Sequence, residues 1–455
     1  MTRQARIAII SAVFTGTFLI AATPVAAHGI GGRSDLPVPV SFFIVGAGIA
    51  IVVSFMALAA LWPEPRLQDP LLDRPLTGRW IPYLRSILGI IGLLGLMLVI
   101  LAGTFNRDGG RTIGPVLVWV YLWLVVPFLA VVLGNWWSVI SPWRLIARWV
   151  NSDALEQSNR GKHFGVWPAA AAFVAFTWLE LVADSSSNPR SLAVTALLYS
   201  IYILVITRLL GVKTGLATGG LFENYNRVIG SISTLKWDID SSTGNLRILR
   251  RGWLRGLTGL RDTPGLTFFI VAMIGTVTYD GISGAEWWSQ QTKSLRGNDF
   301  FETSALLGTI AVIGTAYWLA SAIAGRMAGR AGHAVPIART FAHSLVPIAF
   351  AYAFAHYFTL IVIEGQTLLH ATSDPFGLGW NLFGTANWRI AWVPAPEIVW
   401  YIQVAVIVIG HIVGVILAHD RSLHEFGKEV AIRTQYAMLF LMVLLTALGL
   451  LILSG

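Results

Sequence analysis

The chain has 455 residues, of which 55% are hydrophobic and only 12% charged, and it contains no cysteine. About a quarter of the residues in a soluble domain are charged, so this composition excludes a soluble globular protein and predicts a membrane protein. The lack of cysteine excludes disulfides, thiolate metal sites and iron–sulfur clusters. The net charge of +9 comes from basic residues beside apolar segments, which indicates a lipid bilayer rather than nucleic acid as the partner.

The N-terminus has the pattern of a secretory signal peptide. Two arginines precede an apolar core at residues 7–22, and small residues at 25–27 form a cleavage site. Cleavage after Ala27 would make His28 the first residue of the mature chain. The alternative is an uncleaved first transmembrane helix, because the apolar core is nearly long enough to cross a bilayer.

Ten further apolar segments follow, each of near-spanning length. They predict an all-α polytopic transmembrane helical bundle with ten spans after a cleaved signal, or eleven if the signal is retained. The bundle forms one domain over residues 28–455, with a large cytoplasmic loop at 212–264 and an outer loop at 364–396. The segments lie at residues 41–62, 85–104, 115–134, 166–184, 191–211, 265–281, 304–324, 340–363, 397–418 and 434–454.

The distribution of Lys and Arg predicts the orientation. If the mature N-terminus lies outside, alternate loops face the cytoplasm, and the positive-inside rule then expects basic residues there. All but seven of the 32 Lys and Arg fall on the cytoplasmic side, the seven being Arg33, Arg107, Arg111, Arg190, Lys293, Arg296 and Arg389. We therefore expect a multi-pass protein of the bacterial plasma membrane with both the mature N-terminus and the C-terminus outside.

Ionisable residues within spans are costly in a bilayer and are candidates for function. Glu180 and Asp184 share one face of the fourth span, Asp280 ends the sixth, and His356 lies in the outer half of the eighth with Glu364 just beyond. A rise of about 1.5 Å per residue places all five in the outer half of the bundle. They predict an outward-opening polar site that binds or moves a small solute, a metal ion or protons. The structural alternative is headgroup water around the three shallower carboxylates and a buried hydrogen-bonded pair of Glu180 and His356.

The histidines suggest two cofactors. His28, with its free amine, would bind a divalent metal such as copper or zinc together with His370 and His356. His343 and His411, on the eighth and ninth spans, would suit a haem in an electron-transfer subunit. Glycines on either side of His411 favour close helix packing instead. An assembly scaffold without any ligand is the remaining alternative.

Three stretches carry a family resemblance: residues 28–39 (HGIGGRSDLPVP), 341–358 (FAHSLVPIAFAYAFAHYF) and 373–386 (SDPFGLGWNLFGTA). With the ten or eleven spans, they resemble a bacterial membrane protein family in which some members are labelled fenitrothion hydrolase. The resemblance implies metal-dependent hydrolysis of an organophosphate triester, with a metal-activated hydroxide as the nucleophile. The chain has no His-x-His pair, no Gly-x-Ser-x-Gly elbow and no His-Glu-x-x-His motif, so its residues do not by themselves indicate that reaction.

Overall fold

A computed structural model describes residues 39–68, 74–76, 81–106, 112–151, 161–239, 246–260, 262–330, 332–388 and 390–454. The described chain is an all-α polytopic helical bundle, as the apolar segments predict. The predicted signal peptide and His28 lie outside the described residues. The helices are α1 Val40–Leu61, α2 Ile81–Phe105, α3 Ile113–Leu133, α4 Trp137–Ile140, α5 Pro142–Val150, α6 Trp167–Leu181, α7 Pro189–Leu210, α8 Val212–Gly219, α9 Leu221–Ile229, α10 Arg255–Thr258, α11 Leu266–Gly284, α12 Glu286–Gln291, α13 Asp299–Met327, α14 Ala334–Glu364, α15 Thr367–Ser373 and α16 Pro396–Ser454.

By length and composition, eight of the described helices are long and apolar enough to cross a membrane: α1, α2, α3, α7, α11, α13, α14 and α16. The 15-residue α6 is a shorter apolar helix, and α16 is broken at Gly427, whose φ is 70°. Each of the ten predicted segments overlaps one of these nine helices, with the last two sharing α16. Within α3, Val116–Val125 is π-helical, and α14 contains a 3₁₀ turn at Ala342–Leu345.

A small sheet lies outside the helices. Its strands are β1 Arg74–Leu76, β2 Leu235–Ile239 and β3 Leu246–Arg250, in the order β1–β3–β2 with antiparallel pairing. Apolar residues of the β2–β3 pair contact Leu88 of α2 and Val139 of α4. The sheet is therefore attached to the bundle by a small apolar cluster of its own.

Helix α11 occupies the centre of the bundle. In its most apolar stretch 72% of the residues are buried, the largest share among the eight long helices. It packs against α6, α13, α14 and α16. A residue near the end of α11 is therefore surrounded by protein on several sides, rather than by lipid.

One end of the bundle gathers Arg66, Arg255, Arg339 and Arg421, and we call it the basic end. Arg255 and Thr258 donate to the carbonyls of residues 66 and 67, and Arg421 donates to the carbonyl of Thr258. Arg339 pairs with Asp262 at 2.8 Å. The orientation predicted from charge places this end in the cytoplasm.

The predicted cytoplasmic loop 212–264 begins with a helical hairpin, α8–α9, that turns back into the bundle. Gly215 packs on α7 so closely that a Cβ there would lie 2.7 Å from the Cα of Thr207. Two tyrosines of α7 bind the turn between α8 and α9. The Tyr202 hydroxyl donates to the carbonyl of Gly219, and the Tyr199 hydroxyl accepts from the amide of Leu221. The tip of the hairpin therefore reaches the middle of α7. The segment predicted as a loop thus begins with two packed helices, because a hairpin buried in protein needs few lipid-facing apolar residues and so resembles a loop in sequence.

Candidate functional site

Helices α6 and α11 begin side by side and run in the same direction. The amide of Val166, just before α6, donates to the carbonyl of Pro264 at 2.8 Å, just before α11, and Gly265 packs against Trp167. Glu180 on α6 and Asp280 on α11 then lie at nearly the same distance along the two helices. Parallel packing thus brings together two carboxylates that are a hundred residues apart in sequence.

Asp280 is bound to His356 of α14. The His356 Nε2 lies 2.9 Å from Asp280 Oδ2, and the two side chains keep 22% and 24% exposure, so a proton or an ion can reach them. The neighbouring residue Gly281 allows α11 to pack closely on α16, since a side chain there would collide with Ile452. The pair is a compact donor–acceptor unit between the central helix and α14.

Glu180 is the unsatisfied member of the group. Its Oε2 is buried without a hydrogen-bond partner, and so is the Nε1 of Trp123. The carboxyl lies close enough to Asp280 for their charges to repel, and the Trp123 indole lies close enough to act as a weak hydrogen-bond donor to it. Two neighbouring carboxylates repel each other unless a proton or another cation neutralises one of them. Glu180 thus supplies a free acceptor beside the Asp280–His356 pair.

Three aromatic residues that the sequence analysis missed complete the group. Tyr357 adjoins His356 and interacts with both carboxylates, and Tyr225 of α9 lies within electrostatic range of Glu180. Trp123 stacks on Tyr225 with ring centroids 5.0 Å apart. Tyr357 adjoins His356, a residue already predicted for the site, so it could have been identified from the sequence. Tyr225 could not have been identified in this way, because it belongs to the predicted loop.

The other predicted site residues lie apart from this group or outside the described chain. Asp184 follows the end of α6 and is exposed, and Glu364 is the exposed last residue of α14. His370 is half-buried on α15. Among the described residues, no three histidine or carboxylate side chains gather closely enough to hold a metal ion. The metal site of His28, His370 and His356 stays a prediction, since His28 is not described.

His343 and His411, the predicted haem ligands, lie on α14 and α16. Each ring places Nδ1 against a backbone carbonyl, that of Thr340 for His343 and that of Ile407 for His411. The His343 ring also interacts with the carbonyl of Leu417, which lies about 9 Å from His411 along α16. Haem ligation by these two histidines stays a prediction.

We call Glu180, Asp280 and His356 the polar cluster. Its imidazole is a group that can carry a proton, the carboxylate of Asp280 can stabilise the protonated ring, and the buried carboxylate of Glu180 can accept a proton or a small cation. The cluster therefore has the parts of a proton relay or a cation site inside a helical bundle. Comparison with protein-family models, with curated proteins and with solved structures finds no match to this chain.

Proposed function

We propose that this integral membrane protein binds and moves protons, or small cations in their place, through the polar cluster. The observation that carries the proposal is the buried and unpartnered Oε2 of Glu180 beside the Asp280–His356 hydrogen bond. An unpaired acceptor in a bundle interior costs free energy. A transported proton or cation would satisfy it.

The groups around the cluster suggest the order of events. His356 and Asp280 are partly exposed and would exchange protons with the end of the bundle that carries Asp184 and Glu364. Glu180 is the next acceptor inward, and Tyr225 lies beyond it on the α8–α9 hairpin. The hairpin returns towards the basic end, because Ser233, just after it, donates to the carbonyl of Val132 near the end of α3. The cluster and the hairpin together would form a route through the bundle.

The test is proton uptake by proteoliposomes with a pH-sensitive dye inside and an imposed potassium diffusion potential. Glu180→Gln keeps the size and one acceptor but removes the titratable group, so uptake should fall by about tenfold or more, as expected when an intramembrane carrier of charge is lost. Repeating the measurement with sodium and with an organic cation in place of protons identifies the transported ion.

The matched control is Glu364→Gln, the same chemical change at an exposed position. Its uptake should equal that of the unaltered protein. Equal uptake by Glu180→Gln and the unaltered protein would show that the polar cluster is not the route. The phosphotriester hydrolysis implied by the family resemblance stays a prediction, because the comparisons contain no match that bears on it.

A further inference from the structure

A second polar region lies at the basic end, near the starts of α11 and α14, whereas Asp280 and His356 of the polar cluster lie further along those helices. It is a cavity of about 340 Å³, which is within the roughly 300–1,000 Å³ of small-ligand pockets. The cavity forms where the loop before α11 meets α14 and α16. Its polar lining consists of Thr258, Asp262, Arg339, His343, Arg421 and Glu425. None of these residues takes part in the proposed transport.

The acids of this cavity pair with its arginines, and several guanidinium donors are left over. Asp262 accepts from the Nε of Arg339 at 2.8 Å, and Glu425 lies 3.9 Å from Arg421 Nη1. Arg421 also donates from Nη2 to the carbonyl of Thr258 at 3.0 Å, yet its Nε is buried without a partner. Each guanidinium has five N–H donors, so both arginines keep donors for a ligand.

His343 adds a second, independent sign of a missing ligand. The side chain is only 5% exposed, lines the cavity, and places Nδ1 3.1 Å from the carbonyl of Thr340. Its Nε2 has no partner at ordinary hydrogen-bond distance, and the Leu417 carbonyl is a weak backbone hydrogen-bond partner of the ring. Buried imidazole nitrogens are normally hydrogen-bonded. A ligand in the cavity would give this nitrogen a partner.

The charges and donors together select the ligand chemistry. Two arginines balance two acids, so the lining carries no net charge with His343 neutral, and an anionic group would be held by the remaining guanidinium N–H donors rather than by net charge. A carboxylate could accept hydrogen bonds from the arginines, but it has no proton to donate to the Nε2 of a neutral His343. A phosphate monoester, with a second pKa near about 6, can present either P–OH or P–O⁻ to that nitrogen.

We propose that the cavity at the basic end binds a phosphate monoester through Arg339, Arg421 and His343. The group has two possible sources. Leu266, the first residue of the long apolar helix α11, lines the cavity, which puts it at the level of lipid headgroups, so phosphatidic acid can reach it. A soluble phosphate monoester can reach it from the aqueous side. Both sources supply the same chemistry, and the inference does not depend on the proposed transport.

The experiment has a soluble arm and a lipid arm. Purified protein in a phosphate-free, lipid-free detergent is titrated with inorganic phosphate and with glycerol phosphate, and binding is followed by equilibrium dialysis. Nanodiscs with phosphatidic acid or with phosphatidylglycerol, a diester without P–OH, are compared by native mass spectrometry. The variants are Arg421→Gln and Arg339→Gln, and the matched control is Arg326→Gln, an exposed arginine in the last turn of α13.

We expect saturable binding of a phosphate monoester that weakens about tenfold in Arg421→Gln and in Arg339→Gln, the effect of losing one charge-assisted hydrogen bond. Arg326→Gln should bind like the unaltered protein. Binding in the soluble arm identifies a soluble ligand, and binding only of phosphatidic acid identifies a headgroup. If Arg421→Gln fails to fold, Arg339→Gln decides, because its side chain is 39% exposed. Absence of binding in both arms, equal weakening in Arg326→Gln, or equal binding of phosphatidylglycerol would overturn the proposal.

Discussion

Two sites in the bundle contain a histidine and an aspartate, and they differ in how completely their hydrogen bonds are satisfied. Asp420 is fully buried and accepts from the indole of Trp62, the amides of Arg66 and Leu67, and the side chain of Gln68. Next to it, His419 places one ring nitrogen 2.9 Å from Gln435 Oε1 and the other 3.0 Å from the carbonyl of Trp62. Every polar atom of this pair has a partner.

The polar cluster is different, because the Oε2 of Glu180 has no partner and the Asp280–His356 pair is partly exposed. A fully satisfied buried network rigidifies a structure, while a partly satisfied one is costly unless a ligand completes it. The contrast teaches that burial of a charged group does not by itself indicate function. The Asp420 network connects α16 to the segment after α1, whereas the proposed route for protons or cations passes through the polar cluster.

The largest effect that separates the two sites should come from Asp420→Ala. The substitution leaves the donors of Trp62 and of residues 66–68 buried without an acceptor, so the free energy of unfolding should fall by about 3–5 kcal/mol. Unfolding is measured by titration with SDS in mixed micelles and tryptophan fluorescence. Proton uptake per folded molecule should not change.

The control for Asp420→Ala is Asp184→Ala, which removes an exposed aspartate and should leave the unfolding midpoint unchanged. A loss below about 1 kcal/mol in Asp420→Ala, the size of an ordinary substitution, would contradict the structural role given to this network. The contrast between the two sites would then disappear.

A smaller effect should follow from Gly215→Val, which tests whether the polar cluster depends on the α8–α9 hairpin. The new side chain would meet the backbone of Thr207, and such overpacking costs about 1–3 kcal/mol. Displacement of the hairpin would also move Tyr225 away from Glu180 and lower proton uptake. Gly308→Val is the matched control, since nothing lies within 4 Å of a Cβ at that helical position. Equal stability and uptake in both variants would show that the hairpin is not packed as described.

The smallest effect is expected for the stability contributed by the Asp280–His356 pair. In a double-mutant cycle of Asp280→Asn and His356→Gln, the coupling free energy should be only about 0.5–1 kcal/mol, because both groups are partly exposed and their attraction is screened. Each single variant should nevertheless lose most proton uptake. A coupling above about 3 kcal/mol, typical of buried pairs, would assign the pair to the structural class of Asp420 instead.

The apolar segments by themselves determined the fold class. Runs of about 20 apolar residues have few alternatives to crossing a bilayer as helices, so the ten predicted segments coincide with the observed helices. Counting along those helices also placed Glu180 and His356 at a similar depth, with Asp280 nearer the outside, because the rise of a helix is constant. The depth of these residues is the feature of the candidate site that could be predicted from a single sequence.

Only the tertiary structure decided which helices are neighbours and which polar atoms remain unpaired. Tyr225 lies in a segment with the composition of a loop, and it reaches Glu180 because the α8–α9 hairpin folds back into the bundle. Asp420 follows a span and resembles a solvated loop residue, yet it is fully buried. Hydropathy reports how well a segment tolerates lipid, whereas these contacts depend on residues far apart in the chain, whose packing no local pattern encodes.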